Sequence, residues 1–409
     1  MSASLGLAAL GFAYLMSQFF RTAIGVVAPE VATDLHLDPA RLGTLSAAWF
    51  ASFALMQIPV GMALDRFGPR RTVASLMTLA VIGAVVFANA DAMPMAILGQ
   101  ALIGAGCAPV YMGTLVAVSR WFPADRFALL SSVVLACATA GILLSSRPFA
   151  MLAEALGWRG AMLVVAAVAA LAQLLVAIAA HGPRQAAAAP PATEGLAELA
   201  RGVVDVLRIR ALWPLLPICF AGYAVLIAVR GLWAGPYLDA VFVLSPVARG
   251  DVLLLMSIAM LLGTLAYAGL ERLWHSRRRP VILGSLMLIA GLAMLAVAPD
   301  HSIAATAILL ALVGASASTY VLIMAQGRLF IPQNLIGRGM TFLNCVSFVG
   351  VAAMQQASGV VLQTAERANI GTAPAYGWLF GFLASVLAIA TATYLLSRDA
   401  PPLSTGAFR

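Results

Sequence analysis

The sequence predicts an all-α membrane protein of twelve transmembrane helices, arranged as two pseudo-symmetric six-helix bundles. Three observations predict it: a composition that cannot cover a soluble surface, a series of apolar runs of spanning length, and an internal repeat about half the chain long. Of 409 residues, 62% are hydrophobic and 10% are charged. A soluble globular domain carries about 25% charged residues. The composition therefore argues against a soluble enzyme, a disordered chain and a nucleic-acid binder. The net charge of +8 bears on topology rather than on a polyanionic partner.

A helix needs about 20 apolar residues to cross the hydrocarbon core. Such runs fall at about 5–28, 43–64, 72–90, 94–118, 127–152 and 160–180, and again at about 212–238, 250–270, 280–298, 303–326, 339–363 and 375–396. The first run is too long for a secretory signal and has no basic leader. Between the sixth and seventh runs the chain turns rich in Pro, Ala and Gly and ends in a short amphipathic pattern, which reads as a linker with a surface helix. The expected organisation is an N-terminal bundle over 1–180, a cytoplasmic linker over 181–211, a C-terminal bundle over 212–396 and a cytoplasmic tail over 397–409.

All 24 basic residues are arginine. With the N-terminus in the cytoplasm, the cytoplasmic connections receive most of them, as the positive-inside rule requires. The expectation is a multi-pass protein of the cell inner membrane with both termini cytoplasmic.

Shifting the chain by about 209 residues aligns its scarce polar positions. Tyr14 falls on Tyr223, Arg21 on Arg230, Glu30 on Asp239 and Tyr111 on Tyr320. At nearly the same offset Arg120 meets Arg328, and Asp65-Arg66 meets Glu271-Arg272. Repeats of this kind mark secondary transporters, whose site lies between the repeats.

The loop after the second run reads Gly61-Met-Ala-Leu-Asp65-Arg66-Phe-Gly68-Pro-Arg70-Arg71. It resembles the signature loop of the major facilitator superfamily, G-x-x-x-D-R-x-G-x-R-R, and Glu271 to Arg279 reads as its degenerate echo. The resemblance covers nearly the whole chain. It implies two six-helix bundles around a central cavity and alternating access by their rocking. Asp65, Arg66, Gly68, Arg70, Arg71, Glu271 and Arg272 are the expected gating residues. The glycines permit close approach, and Asp65 can accept from helix N-termini and pair with arginines. Proton-driven drug antiporters of the superfamily carry an arginine in R-x-x-x-G-x-G on the fourth helix. Here Gln100 stands in that place, before Gly104 and Gly106, which weakens a drug/proton antiport reading.

Arg21 is the most informative single residue. An arginine inside a spanning helix costs about 2.5–3.5 kcal/mol on insertion scales, so it faces a bundle interior or a wet cavity. Tyr14, Ser17, Gln18 and Arg21 form one polar stripe at helical spacing. Tyr223 and Arg230 repeat that spacing on the seventh run. The repeat would set the two arginines on opposite sides of one cavity, where paired guanidinium groups clamp a carboxylate, phosphate or other oxyanion. Organophosphate exchangers of the superfamily resemble this arrangement. Arg21, Arg230, Tyr14, Gln18, Tyr223, Tyr111 and Tyr320 are the expected substrate-binding residues. The arginines have two other readings. Arg21 lies on the order of 10 Å from the end of its helix near Pro29, within reach of headgroups by snorkelling, or it can pair with acidic residues and hold the outer side closed. Arg147 is a third candidate; it sits near Glu154 at the outer end, so a structural pairing stands open beside a substrate contact. Asn344, Gln355 and Gln356 fit interhelix glue. No Asp, Glu or His lies mid-span, so a carboxylate relay in the membrane is not indicated.

Met256 and Met260 share a helix face, and soft thioethers suit Cu(I). Copper importers of the superfamily look similar but carry partner Met or His residues on the seventh helix, which this chain lacks there. The four histidines and four cysteines show no metal-ligand spacing. No Walker loop or GxSxG is present, so neither an enzyme nor a cofactor is expected. The sequence-level reading is a monomeric secondary active transporter in the lipid bilayer, moving a small solute, expected to be an organic or other small anion, by alternating access. The alternatives are a soft-metal importer, a drug or metabolite efflux carrier, and a non-transporting membrane sensor.

Overall fold

The computed structural model describes residues 3–180 and 205–399. Most of the expected linker, including the start of its amphipathic pattern, and most of the tail lie outside these residues. Every regular element among the described residues is helical. Eleven of the helices there are long and apolar enough to cross a membrane. One of them, Pro39–Ala88, is 50 residues long and breaks at Gly68, where φ is 74 and ψ is 173. It therefore supplies both the second and the third span, and the series reaches the twelve expected.

The first span is Ala3–Asp34 and the fourth is Met93–Trp121. The fifth runs through Phe127–Leu144 and, after a break at Ser145 and Ser146, continues into the helix Arg147–Ala179. That helix breaks again at Gly157, φ 70 and ψ 161, and its remainder is the sixth span. The seventh to twelfth spans are Arg210–Phe242, Pro246–Trp274, Arg278–Val297, Ile303–Phe330, Ile336–Arg367 and Thr372–Tyr394.

The local chemistry explains the boundaries. Gly68 precedes a proline, which disfavours helical backbone at the preceding residue, and only glycine accepts the left-handed φ there cheaply. Asp38 caps the second span by accepting from the Arg41 amide at 2.8 Å, with Pro39 following it. Ser245 does the same before Pro246, accepting from the Ala248 amide at 3.3 Å. The repeat shows in the turns as well. His36 and Val243, φ 51 and 54, close the first and seventh spans, and Gly68 and His275, φ 74 and 49, close the second and eighth.

The chain divides into two compact bodies. The first holds residues 3–180 with Gly231–Asp239 and Leu244–Leu253; the second holds residues 205–230, Ala240–Val243 and residues 254–399. The division falls inside the seventh span, between Arg230 and Gly231. In the first body that span comes so close to the first span that a Cβ on Gly235 would lie 2.0 Å from the carbonyl oxygen of Gly25. No other residue fits there without moving backbone.

Candidate functional site

In the first body the polar stripe of the first span lies inside the helix packing. Tyr14, Ser17 and Gln18 are buried and Arg21 is half-buried. The Gln18 Nε2 donates to the Tyr14 hydroxyl at 2.9 Å. One turn on, the Thr22 and Ser145 hydroxyls meet at 2.7 Å, at the break in the fifth span. Arg21 is held by aromatic faces. Its guanidinium carbon lies 5.4 Å from the Trp49 ring centroid and 5.3 Å from that of Phe53, both on the second span. The two rings stack with centroids 5.1 Å apart. Cation–π contacts of this kind are worth about 0.5–2 kcal/mol each. They steady the positive charge inside the bundle.

Tyr111 lies in the first turn of the helix that resumes after a break at Ala108 and Pro109 in the fourth span. Its ring stacks on Tyr14 with centroids 5.1 Å apart. The second body repeats the pairing. The tenth span breaks between Ser316 and Tyr320, and the Tyr320 ring lies 4.8 Å from Tyr223. The Tyr320 hydroxyl donates to Asn344 Oδ1 of the eleventh span at 2.7 Å. Interrupted helices are where transporters build their sites, because the break exposes backbone groups that an unbroken helix uses up. The expected tyrosines thus pair within each body, Tyr14 with Tyr111 and Tyr223 with Tyr320.

Arg230 is fully buried, 0% exposed. It sits in a π-helical turn, Val229–Trp233, within the seventh span. Such turns are rare and concentrate at functional positions. Its Nε donates to Ser257 Oγ of the eighth span at 3.0 Å. Gln355, on the eleventh span and also buried, donates to the Ile227 carbonyl at 3.2 Å, just before the turn widens.

The ends of the spans remote from the N-terminus, here termed distal and expected to face outward, carry ion pairs. Arg249, at the start of the eighth span, donates to Glu30 Oε1 and stands 2.9 Å from Asp239 Oδ1. Arg147 pairs with Asp251 at 3.0 Å, not with Glu154. Asp34 Oδ2 accepts from Trp158 Nε1 at 2.8 Å and from Arg159. Glu30 and Asp239, aligned by the repeat, therefore meet one arginine that the sequence analysis does not single out. The signal was present: an arginine in the first turns of the span that follows Asp239.

At the opposite ends, the motif residues form looser links. Asp65 lies 3.9 Å from Arg120 of the fourth span. Arg70 Nε donates to the Ala177 carbonyl of the sixth span at 2.8 Å, and the Arg66 guanidinium carbon lies 5.2 Å from the Phe67 ring. Arg71 is exposed. In the echo, Glu271 accepts from Arg277 Nε at 2.7 Å, and Arg277 also reaches the Ala325 carbonyl at 3.2 Å. Arg272 is exposed. The acidic member of each loop is thus tied to an arginine beyond the adjacent one.

Met256 is buried, and both Met256 and Met260 abut Gly314 of the tenth span, where an added Cβ would lie 3.0 and 3.2 Å from their Cγ atoms. These are packing contacts. The four cysteines are free thiols. No cluster of three or more His, Cys, Asp or Glu placed to hold a metal occurs among the described residues.

Against known proteins, the family model described as Major Facilitator Superfamily matches residues 10–354. A nitrate/nitrite transporter, NrtP, of Picosynechococcus sp. is 35% identical over 24% of this chain and 18% of its own length. A probable galactarate/D-glucarate transporter, GudP, of Escherichia coli is 30% identical over 26% of this chain and 25% of its own. An efflux pump, apf11, of Gibberella fujikuroi is 24% identical over 45% and 33%. The chain thus aligns with about a third or less of the length of these curated relatives. The crystal structure of a bacterial homolog to the human lysosomal transporter Spinster shares the fold, with TM-score 0.76 and 18% identity over 98% of this chain and 99% of that one.

Proposed function

The chain belongs to the Major Facilitator Superfamily, and from that premise we propose that it is a secondary transporter of a small anion. Arg21 and Arg230 are its recognition groups. The observation that carries the proposal is the repeat-related pair of arginines, each set inside a span. Arg230 is fully buried in a π-helical turn, and Arg21 lies against Trp49 and Phe53. An arginine at these depths is costly, and a structural pair at the distal ends is already supplied by Arg249. A carboxylate, nitrate or sulfonate matches the guanidinium fork with two parallel charged hydrogen bonds. Relatives named for nitrate and for glucarate support the same ligand class.

Around each arginine the neighbouring groups have stated tasks. Tyr14 with Gln18, and Tyr223 with Tyr320, offer hydroxyl donors to an anion's remaining oxygens. The rings exclude water and raise the worth of each charged contact. Asp65 with Arg120 and Glu271 with Arg277 act as latches near the termini, in alternating access across an inner membrane with both termini in the cytoplasm.

Flux in reconstituted vesicles tests the proposal. Labelled nitrate, a dicarboxylic sugar acid and a sulfonate should each be compared with a cationic dye. Counterflow of at least one anion, competed by unlabelled anion, is the expected result. Flux of the cation alone would contradict the assignment, and flux of nothing would favour a sensor.

A further inference from the structure

Gln355 and Gln326 are both 0% exposed, yet they use their amides differently. Gln326, on the tenth span, engages both ends. Its Nε2 donates to the Arg398 carbonyl at 2.9 Å, and its Oε1 accepts from the Tyr394 hydroxyl. Gln355, on the eleventh span, engages one. Its Nε2 donates to the Ile227 carbonyl at 3.2 Å, while its Oε1 is buried and has no hydrogen-bond partner among the described residues. Turning the amide over would set its oxygen against the Ile227 carbonyl oxygen, so that contact fixes which end is left over. A buried acceptor without a donor is costly, and an amide that only joined two helices would gain nothing from that cost.

The unused oxygen lies beside the anion-recognition group of the second body. Ile227 precedes Arg230 by three residues, and the span widens into its π-helical turn directly after Ala228. A helical carbonyl points along the axis toward the following turn, which here carries Arg230. That side chain is equally buried, with its Nε on Ser257 Oγ at 3.0 Å. Gly350 brings the eleventh span this near the seventh: an added Cβ there would lie 2.1 Å from the Phe220 carbonyl oxygen. The turn thus offers a guanidinium, which takes an anion, and an acceptor, which takes a hydrogen.

We propose that Gln355 is a specificity-determining residue, and that the anion bound at Arg230 carries a hydroxyl group, as a small hydroxycarboxylate does. Its carboxylate takes the guanidinium through charged hydrogen bonds, and its hydroxyl donates to Gln355 Oε1. An ammonium group would also supply hydrogens, but the guanidinium repels it, and no Asp or Glu lies mid-span to offset its charge. Nitrate, or a carboxylate without a hydroxyl, leaves the oxygen unpaired. Sites built around a substrate hydroxyl reject the analogue lacking it for this reason. Both side chains are closed to solvent in this conformation, so substrate reaches them at another step of the alternating-access cycle. The inference rests on the reading of Arg230 as an anion-recognition group and narrows the anion.

Titration calorimetry of the purified protein in detergent tests it with matched pairs, glycolate against acetate and lactate against propionate. The hydroxy member of each pair should bind about 10- to 100-fold tighter, the range of one hydrogen bond in a charged site. In Gln355→Met, which keeps the length and removes the acceptor, that ratio should fall toward one. If Gln355→Met does not fold, Gln355→Asn, whose shorter arm withdraws the oxygen, is read the same way, and the ratio in the unmodified protein still decides. Equal affinities within each pair in the unmodified protein, or a preference that survives in the variant, would overturn the proposal and leave the anion reading intact. Binding of no anion at all, from these pairs or from nitrate and sulfonates, would remove the anion reading and the proposal with it.

Discussion

Glu30, in the next-to-last turn of the first span, and Arg249, in the second turn of the eighth, share a charged hydrogen bond across 219 positions of sequence. Asp239 completes the group from the seventh span. Breaking a fully buried pair by removing one partner costs about 3–5 kcal/mol, and partial exposure of the carboxylates reduces this. Arg249→Ala should therefore lower stability by about 1–3 kcal/mol, because two carboxylates then face each other uncompensated. Arg249→Lys should recover part of that loss. Thermal unfolding in detergent at neutral pH reads both.

Gly235 faces the Gly25 carbonyl with no room for a Cβ. Gly235→Ala should force the two backbones apart, and Gly235→Val should do so further. Either should increase labelling of a cysteine placed at Val26, now buried, by a membrane-impermeant thiol reagent. Unchanged labelling would mean that the close contact does not govern access.

Val243 is a β-branched residue held at φ 54 and 85% exposed. Left-handed backbone costs a non-glycine residue about 1–2 kcal/mol. Val243→Gly removes that strain but adds unfolded-chain entropy, so a net gain of about 0.5–1 kcal/mol is expected. A rise in melting temperature checks it.

Arg230 and Ser257 are joined by a buried hydrogen bond. Ser257→Ala should leave the charge of Arg230 in place but loosen its aim. Anion affinity should fall by about tenfold, since hydrogen bonds to charged groups are worth about 1.5–3 kcal/mol, and part of that is regained from water. Arg230→Lys keeps the charge but loses the fork and should cost more than Ser257→Ala. Titration calorimetry with a bound anion separates the two.

The spans were legible because hydrophobic length is a local property, and Gly68 marked its own turn because glycine before proline admits few conformations. The repeat was legible in Tyr14, Arg21, Tyr111 and their counterparts because polar residues are scarce in such a chain. The breaks at Ser145 and Ser146, and between Ser316 and Tyr320, were not. Both lie within apolar runs; Pro148 follows the first at the start of the next helix but fits equally well inside a continuing kinked span, and the second, Ser316 to Tyr320, holds no proline or glycine. The π-helical turn at Arg230 was hidden because its one glycine, Gly231, sits in an apolar run that reads as unbroken helix. Arg249 was missed because its role depends on two carboxylates that only the folded chain brings to it, and an arginine near a span end reads equally well as a topology signal.

The most direct test of the central claim is a thermal-shift comparison of the purified protein with Arg21→Gln and Arg230→Gln. The panel would hold nitrate, organic acids, sulfonates, cationic drugs and Cu(I). A ligand of the folded state raises the melting temperature by mass action. The account predicts stabilisation by at least one anion, lost in both variants while each still unfolds cooperatively. Anion stabilisation that persists when both arginines are replaced, or stabilisation by cations or Cu(I) alone, would contradict it.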